Sequence, residues 1–230
     1  MISSISEQII QIQATLPDSV RLLAVSKQVP VTAIREAYAA GVRDFGESRI
    51  QEAAQKQDEL RDLPNITWHF IGRLQGNKAK KALQQFQWIH SVDSLKLAER
   101  LNELASELAV SPQICLQVKI LSDPSKTGWT IPQLKLDLPQ LDQYKSLQIQ
   151  GLMTIPPQNL SPAEILDVFE STQALLREIQ EQHWSHIQMH ELSMGMSGDY
   201  QLAVQAGSTM VRLGTILFGS RQLPPSNITE

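Results

Sequence analysis

Short apolar and β-branched runs alternate along the chain with longer stretches of helical period. The runs predict strands at residues 20–25, 44–45, 66–71, 87–92, 114–120, 147–153, 187–192 and 208–213. Helical segments separate most of them, as at 94–109 and 162–182. The second of these opens with Ser161 as N-cap, Pro162 at the first helical position and Glu164 at the third, a capping-box start. An amphipathic helix over 4–16 precedes the first strand. Eight strand–helix units in this length predict a single (β/α)8 TIM barrel, an α/β fold of about 250 residues in its usual form, carrying an extra N-terminal helix. An open doubly wound sheet is the alternative. No linker, repeat or low-complexity tract divides the chain, so residues 1–230 read as one domain, with an irregular loop over 122–128 after the fifth strand.

Composition narrows the function classes. With 42% hydrophobic residues the chain can bury a large core, and a formal net charge of -4 gives no bulk attraction to nucleic acid or an anionic membrane. No run is apolar enough to span a bilayer, and the N-terminus lacks a basic-then-apolar signal. The expectation is a cytoplasmic protein, monomeric, with neither a nucleic-acid nor a membrane partner. The single cysteine, Cys115, lies in a strand run and reads as a small buried hydrophobe.

Candidate chemistry starts at Lys27, which follows Leu22-Leu23-Ala24-Val25 and Ser26 and so stands at the mouth of a buried parallel strand. A desolvated lysine amine can condense with a carbonyl. In a barrel, active sites gather at the carboxyl ends of the strands, and phosphate is commonly held after strands seven and eight. Those places carry Ser193-Met194-Gly195-Met196-Ser197-Gly198-Asp199 and Arg212-Leu213-Gly214-Thr215, the latter opening a short helix whose first N–H groups lack intrahelical partners. A ligand with both a carbonyl and a phosphate fits. Pyridoxal 5′-phosphate satisfies this, and so do the phosphorylated sugars of a lysine-dependent aldolase.

Several motifs together carry a closer likeness. They are Ala24-Val25-Ser26-Lys27, Phe45-Gly46-Glu47-Ser48, Trp68-His69-Phe70-Ile71-Gly72-Arg73-Leu74-Gln75-Gly76-Asn77-Lys78, Leu192 to Asp199, and Val211-Arg212-Leu213-Gly214. The chain resembles the pyridoxal phosphate homeostasis protein family, whose barrel is similar to the N-terminal domain of alanine racemase, fold type III among pyridoxal phosphate proteins. The resemblance implies pyridoxal 5′-phosphate as cofactor, held as an aldimine on Lys27, with Arg212 facing the pyridine nitrogen. It implies phosphate contacts from Ser193, Ser197, Gly214 and Thr215. It also implies a role in vitamin B6 and amino-acid/keto-acid homeostasis, with amino acids and cofactor-requiring apo-enzymes as partners. Family members commonly carry Asn where Ser48 stands, so a side-chain amide contact from that position becomes at most a hydroxyl contact.

Whether such a cofactor would turn over substrate is a separate matter. An electron sink works best when a carboxylate keeps the pyridine nitrogen protonated, and arginine, with a pKa above ~12, does not give up a proton for that purpose. Racemisation also needs a second acid/base, usually tyrosine. Tyr38 and Tyr144 fall within or near helices, while Tyr200 begins the helix after the phosphate loop. The β domain that covers racemase sites is not expected, since the sequence ends a few residues beyond Arg221. The reading is a non-catalytic carrier or regulator with no catalytic residue; a pyridoxal-dependent racemase or decarboxylase is the alternative.

Other polar residues read as structure. His69 and His90 in strand runs, and His190 near a strand end, have no ligand-like spacing, so no metal is expected. Arg73, Lys78, Lys80 and Lys81 read as a solvated basic face. Glu47 reads either as a buried carboxylate near the site or as a cap of the next helix.

Overall fold

The computed structural model describes residues 4–123 and 126–219, so Pro124, Ser125 and Arg221 lie outside the described residues. Nine strands occur among them: β1 (Arg21–Val25), β2 (Asp44–Glu47), β3 (Thr67–Phe70), β4 (Trp88–Val92), β5 (Gln113–Lys119), β6 (Trp129–Thr130), β7 (Gln148–Met153), β8 (Ile187–Met196) and β9 (Met210–Leu213). All but β6 form one closed ring of parallel neighbours, sealed by β4 on β5 and by β1 on β9. The architecture is a (β/α)8 barrel, and the open-sheet alternative falls because no edge remains. The two-residue β6 pairs outside the ring with Val118 and Lys119.

Helices clothe the barrel: α1 (Ile5–Thr15), α2 (Val31–Ala39), α3 (Ile50–Glu59), α4 (Ala79–Gln85), α5 (Leu95–Leu108), α6 (Ile131–Leu141), α7 (Pro162–Gln180), α8 (Tyr200–Gln205) and α9 (Thr215–Phe218). Their starts follow local chemistry. Ser161 Oγ accepts from the Glu164 amide at 3.3 Å while the Glu164 carboxylate accepts from the Ser161 amide at 2.7 Å, and Ser4 with Glu7 makes the same reciprocal box on α1. Each such cap contributes about 1 kcal/mol.

Two apolar layers hold the fold. The larger lies between helices and barrel and takes the outward side chains, such as Leu22, Ala24, Phe45 and Ile89. The smaller fills the barrel with Leu23, Trp88, Cys115, Met153 and Met210. Because neighbouring residues of one strand serve different layers, the strands read as continuous apolar runs; β4 is buried at every position. Cys115 is fully buried there, and burial pushes its thiol pKa up, as befits a packing residue.

Three differences from the sequence expectation stand out. β8 does not stop at Leu192: Ser193 pairs with Met153 and Met210, Met196 pairs with Arg212, and a register shift between them absorbs the extra length. The glycine–serine stretch therefore begins as strand and turns only at Ser197. β2 runs on to Glu47, because Gly46 and Glu47 keep their partners His69 and Phe70. β6 is too short to leave an apolar signature of its own.

One glycine fixes how the second and third loops leave the barrel. A Cβ on Gly72 would collide with the Ser48 carbonyl oxygen and sit 2.8 Å from its Cα, and backbone cannot swing away as a side chain can. Gly72→Ala is expected to destabilise the protein by about 1–3 kcal/mol, read as a lower urea midpoint. An unchanged midpoint would show that the two loops are free to separate.

Candidate functional site

The carboxyl ends of β1, β8 and β9 bring the candidate residues together. Lys27 follows β1 by two residues and is half-buried. The backbone on both sides of it is pinned. Ser26 donates its amide to the Gly46 carbonyl at 3.0 Å, and its own carbonyl accepts from Lys56 Nζ at 2.6 Å. The Gln28 amide donates to the Glu52 carboxylate, with Gln28 in the left-handed region at φ 60°. Bonds on both flanks fix the backbone from which the Lys27 side chain departs.

Beside Lys27 lies a buried ionic cluster of which the sequence pointed to one member, Glu47. Glu47 is 0% exposed; its Oε1 accepts from Ser26 Oγ at 2.7 Å and from Lys56 Nζ at 2.8 Å. Lys56 also donates to Glu52 Oε1 at 2.7 Å. Burial raises the Glu47 carboxyl above its ordinary range, while Lys56 and Ser26 draw it partly back. Of the two readings offered for Glu47 the buried carboxylate holds, since the N-cap of α3 is Arg49, without a side-chain cap bond. Glu52 and Lys56 stand four apart on α3, and the packing of that helix on the barrel turns the pair inward.

An anion cup forms where β8 and β9 end. Ser197 Oγ accepts from the Gly214 and Ile216 amides, both at 3.4 Å. Gly214 is the N-cap of α9, so these donors include N–H groups without intrahelical partners. Both bonds are long, and a phosphate oxygen could draw on the same amides and hydroxyl. Thr215, the first residue of α9, is exposed at the rim.

Arg212 lies one layer deeper, paired in register with Leu23 of β1, and is 4% exposed. Its Nη1 donates to the Ser193 carbonyl and, at 2.8 Å, to Ser193 Oγ; its Nη2 donates to the Thr154 carbonyl at 3.0 Å. These bonds use three of a guanidinium's five N–H donors, leaving capacity to face a ring acceptor. Burial lowers its pKa to about 10, which keeps the charge at neutral pH. Ser193 belongs with Arg212 and not with the cup: it is fully buried in β8, and its hydroxyl also meets His90 Nδ1 at 2.7 Å. As a phosphate contact it is displaced by the extra strand length. Sequence reasoning missed Thr154, whose service is through its backbone and so leaves no side-chain signal.

Across the mouth a cavity of about 290 Å³ is lined by Ile71, Gln117, Met153 and Ile155, with Arg73, Lys126 and Thr127 at its edge. A larger hollow of about 640 Å³ lies between residues 73–77 and the start of α5, away from Lys27 and Arg212. Arg73, Lys80 and Lys81 are exposed and Lys78 half-buried, as a solvated face requires. Tyr144 and Tyr200 are buried in the layer between helices and barrel, and Tyr38 packs against that layer with its hydroxyl donating to the Pro64 carbonyl at 2.9 Å.

Comparison with known proteins places the fold and the family. The family model described as alanine racemase, N-terminal domain, matches residues 2–222. A pyridoxal phosphate homeostasis protein from Synechocystis sp. is 54% identical over 211 residues, covering 92% of this chain and 96% of that one. The chain belongs to the pyridoxal phosphate homeostasis protein family. The Escherichia coli K12 member of that family is 36% identical over 207 residues, covering 89% of this chain and 87% of its own. PipY of Synechococcus elongatus, solved with PLP bound, superposes with a TM-score of 0.90 at 52% identity, covering 94% of this chain and all of its own. Alanine racemase of Clostridium difficile shares the fold alone, at a TM-score of 0.76 and 16% identity, the match spanning 98% of this chain and 58% of the racemase.

Proposed function

We propose that this protein binds pyridoxal 5′-phosphate covalently through Lys27 and serves vitamin B6 and amino-acid/keto-acid homeostasis as a cytoplasmic monomer, without conventional turnover. The observation that carries the reading is the convergence on one barrel mouth of a backbone-pinned lysine, an amide-and-hydroxyl anion cup, and a buried arginine. The PLP-bound PipY relative and the naming of the curated relatives support the cofactor. The bound cofactor supplies an electrophilic carbon to amines. Lys27 Nζ would hold that end, Ser197 with the Gly214 and Ile216 amides the phosphate, and Arg212 the ring nitrogen.

The absence of turnover rests on what the chain's own side chains can do. Arg212 stays cationic at neutral pH and would donate to the ring nitrogen without surrendering a proton, which would leave the ring a weak electron sink. Proton exchange at an α-carbon needs groups within hydrogen-bond reach on both sides. Lys27 offers one. None of the three tyrosines, in or against the outer layer, supplies the other.

Amino acids are therefore expected to perturb the cofactor's absorption yet keep their α-hydrogen. Incubation of the loaded protein with L- and D-alanine in deuterated water tests this. Deuteration or inversion at ~1 s⁻¹ or faster, the range of ordinary enzymes, would establish the racemase reading instead. Arg212→Gln is expected to loosen the cofactor without creating a racemase, measured by titration and the same exchange assay. A protonated pyridinium in ring-nitrogen NMR of the wild type would contradict the role given to Arg212.

A further inference from the structure

The barrel interior holds a continuous file of polar side chains on which the proposed function does not call. From the Arg212 layer downward, Ser193 Oγ meets His90 Nδ1 at 2.7 Å, His90 Nε2 meets His69 Nδ1 at 2.9 Å, and His69 Nε2 meets Asp44 Oδ1 at 2.9 Å. His69, His90 and Ser193 are fully buried. At the amino end of the barrel, Arg21 Nη2 bonds Glu191 Oε1 at 3.1 Å and Arg21 Nη1 lies 3.9 Å from Asp44 Oδ1.

The two ends dictate one direction. Arginine only donates, so Ser193 Oγ accepts from Arg212 and its own proton goes to His90 Nδ1. At the other end an ionised carboxylate only accepts, so His69 must carry its proton on Nε2. A neutral His69 then accepts at Nδ1 from His90 Nε2–H, which leaves His90 Nδ1 as the acceptor Ser193 requires. Every donor finds an acceptor in the sequence Arg212, Ser193, His90, His69, Asp44. No second assignment with both rings neutral satisfies it.

Charge supports the same state. The charged groups that act on the two rings are Arg21 from β1, Asp44 from β2, Glu191 from β8 and Arg212 from β9. Burial lowers both histidine pKa values; Asp44 pulls His69 partly back, whereas His90 is pushed down further by His69, Arg212 and Arg21.

We propose that Asp44, His69, His90 and Ser193 are positioning residues: one directed hydrogen-bond chain, anchored on the Asp44 carboxylate, fixes the orientation of the Arg212 guanidinium that faces the cofactor ring. The proposal rests on the cofactor reading above and adds residues far from the mouth to the cofactor's environment. Any loss of order in the chain is read at the ring, because Ser193 holds Arg212 through both its hydroxyl and its carbonyl.

Two measurements test it. Nitrogen NMR of ¹⁵N-histidine-labelled, cofactor-free wild type should show His69 and His90 neutral, with the proton on Nε2, from about pH 6 to 8. A titrating ring or an Nδ1–H tautomer at either position would overturn the chain. Pyridoxal 5′-phosphate is then titrated into wild type, Asp44→Asn, Ser193→Ala and Ser193→Thr, with folding checked by circular dichroism. Asp44→Asn and Ser193→Ala should shift the bound cofactor's absorption maximum and weaken binding about tenfold, the factor for one lost charge-assisted hydrogen bond. Ser193→Thr, which keeps the hydroxyl, should restore the wild-type spectrum. Should Asp44→Asn fail to fold, Ser193→Ala decides alone. Unchanged maximum and affinity in a folded Ser193→Ala would overturn the proposal. Failure of the wild type to load strikes the cofactor reading instead, and the histidine spectra still decide the chain.

Discussion

Lys27→Ala is expected to abolish borohydride-trappable cofactor and to weaken pyridoxal 5′-phosphate binding at least about a hundredfold, or ~3 kcal/mol. The cup at Ser197, Gly214 and Ile216 and the guanidinium of Arg212 do not depend on Lys27 for their geometry. The variant should therefore retain weak, reversible binding without the absorption band of the covalent form. Absorption titration with inorganic phosphate as competitor reads both properties. Retention of a trappable, tightly held cofactor in Lys27→Ala would remove Lys27 from the role assigned to it.

Lys56→Met should produce the largest loss of stability. It deletes the ammonium that bonds Glu47, Glu52 and the Ser26 carbonyl together, leaving a fully buried carboxylate with only Ser26 Oγ as partner. Breaking one side of a buried pair typically costs about 3–5 kcal/mol. The cost has a predictable pH dependence. Glu47 already has a raised folded-state pKa, and without Lys56 nothing but Ser26 opposes the desolvation, so it rises further. A carboxyl raised on folding binds its proton more in the native than in the unfolded state, so stability falls as pH climbs from the unfolded pKa through the folded one. Lys56→Met should lose more relative to wild type at pH about 8 than at about 5, where the native carboxyl can stay protonated. Urea midpoints at the two pH values measure this; an equal or smaller loss at the higher pH would mean that Glu47 is solvated in the variant. The same substitution frees the backbone at Ser26, so the surviving fold should also load cofactor more slowly.

The barrel was legible from sequence because each of its strands needs apolar residues on both faces, which leaves compact runs such as Leu22 to Val25. Capping chemistry placed α7 to within two residues, since Ser161 and Glu164 satisfy each other locally. What escaped notice is not local. The overrun of β8 depends on partners 16 and more residues away in chain, on β7 and β9. Lys56 and Glu52 show the pattern of a solvent-facing helix pair, and the inward turn of α3 follows from the closed barrel. Polar residues inside the barrel gave a divided signal. His69 and His90 were readable as hydrogen-bonded core groups, but their connection to each other, to Asp44 and to Arg212 arises from strands β2, β3, β4, β8 and β9 pointing alternate residues at one axis. Among the site residues, Lys27, Ser197, Gly214 and Thr215 share the rim that their strand-end positions implied, whereas Ser193 turned from the rim to the interior once β8 lengthened.

The most direct test of the account is borohydride reduction of the wild-type protein loaded with pyridoxal 5′-phosphate, followed by proteolysis and mass mapping of the modified peptide. The account predicts a single pyridoxylated position, Lys27. Modification centred on another lysine, such as the exposed Lys80 or Lys81 or the buried Lys56, would contradict it.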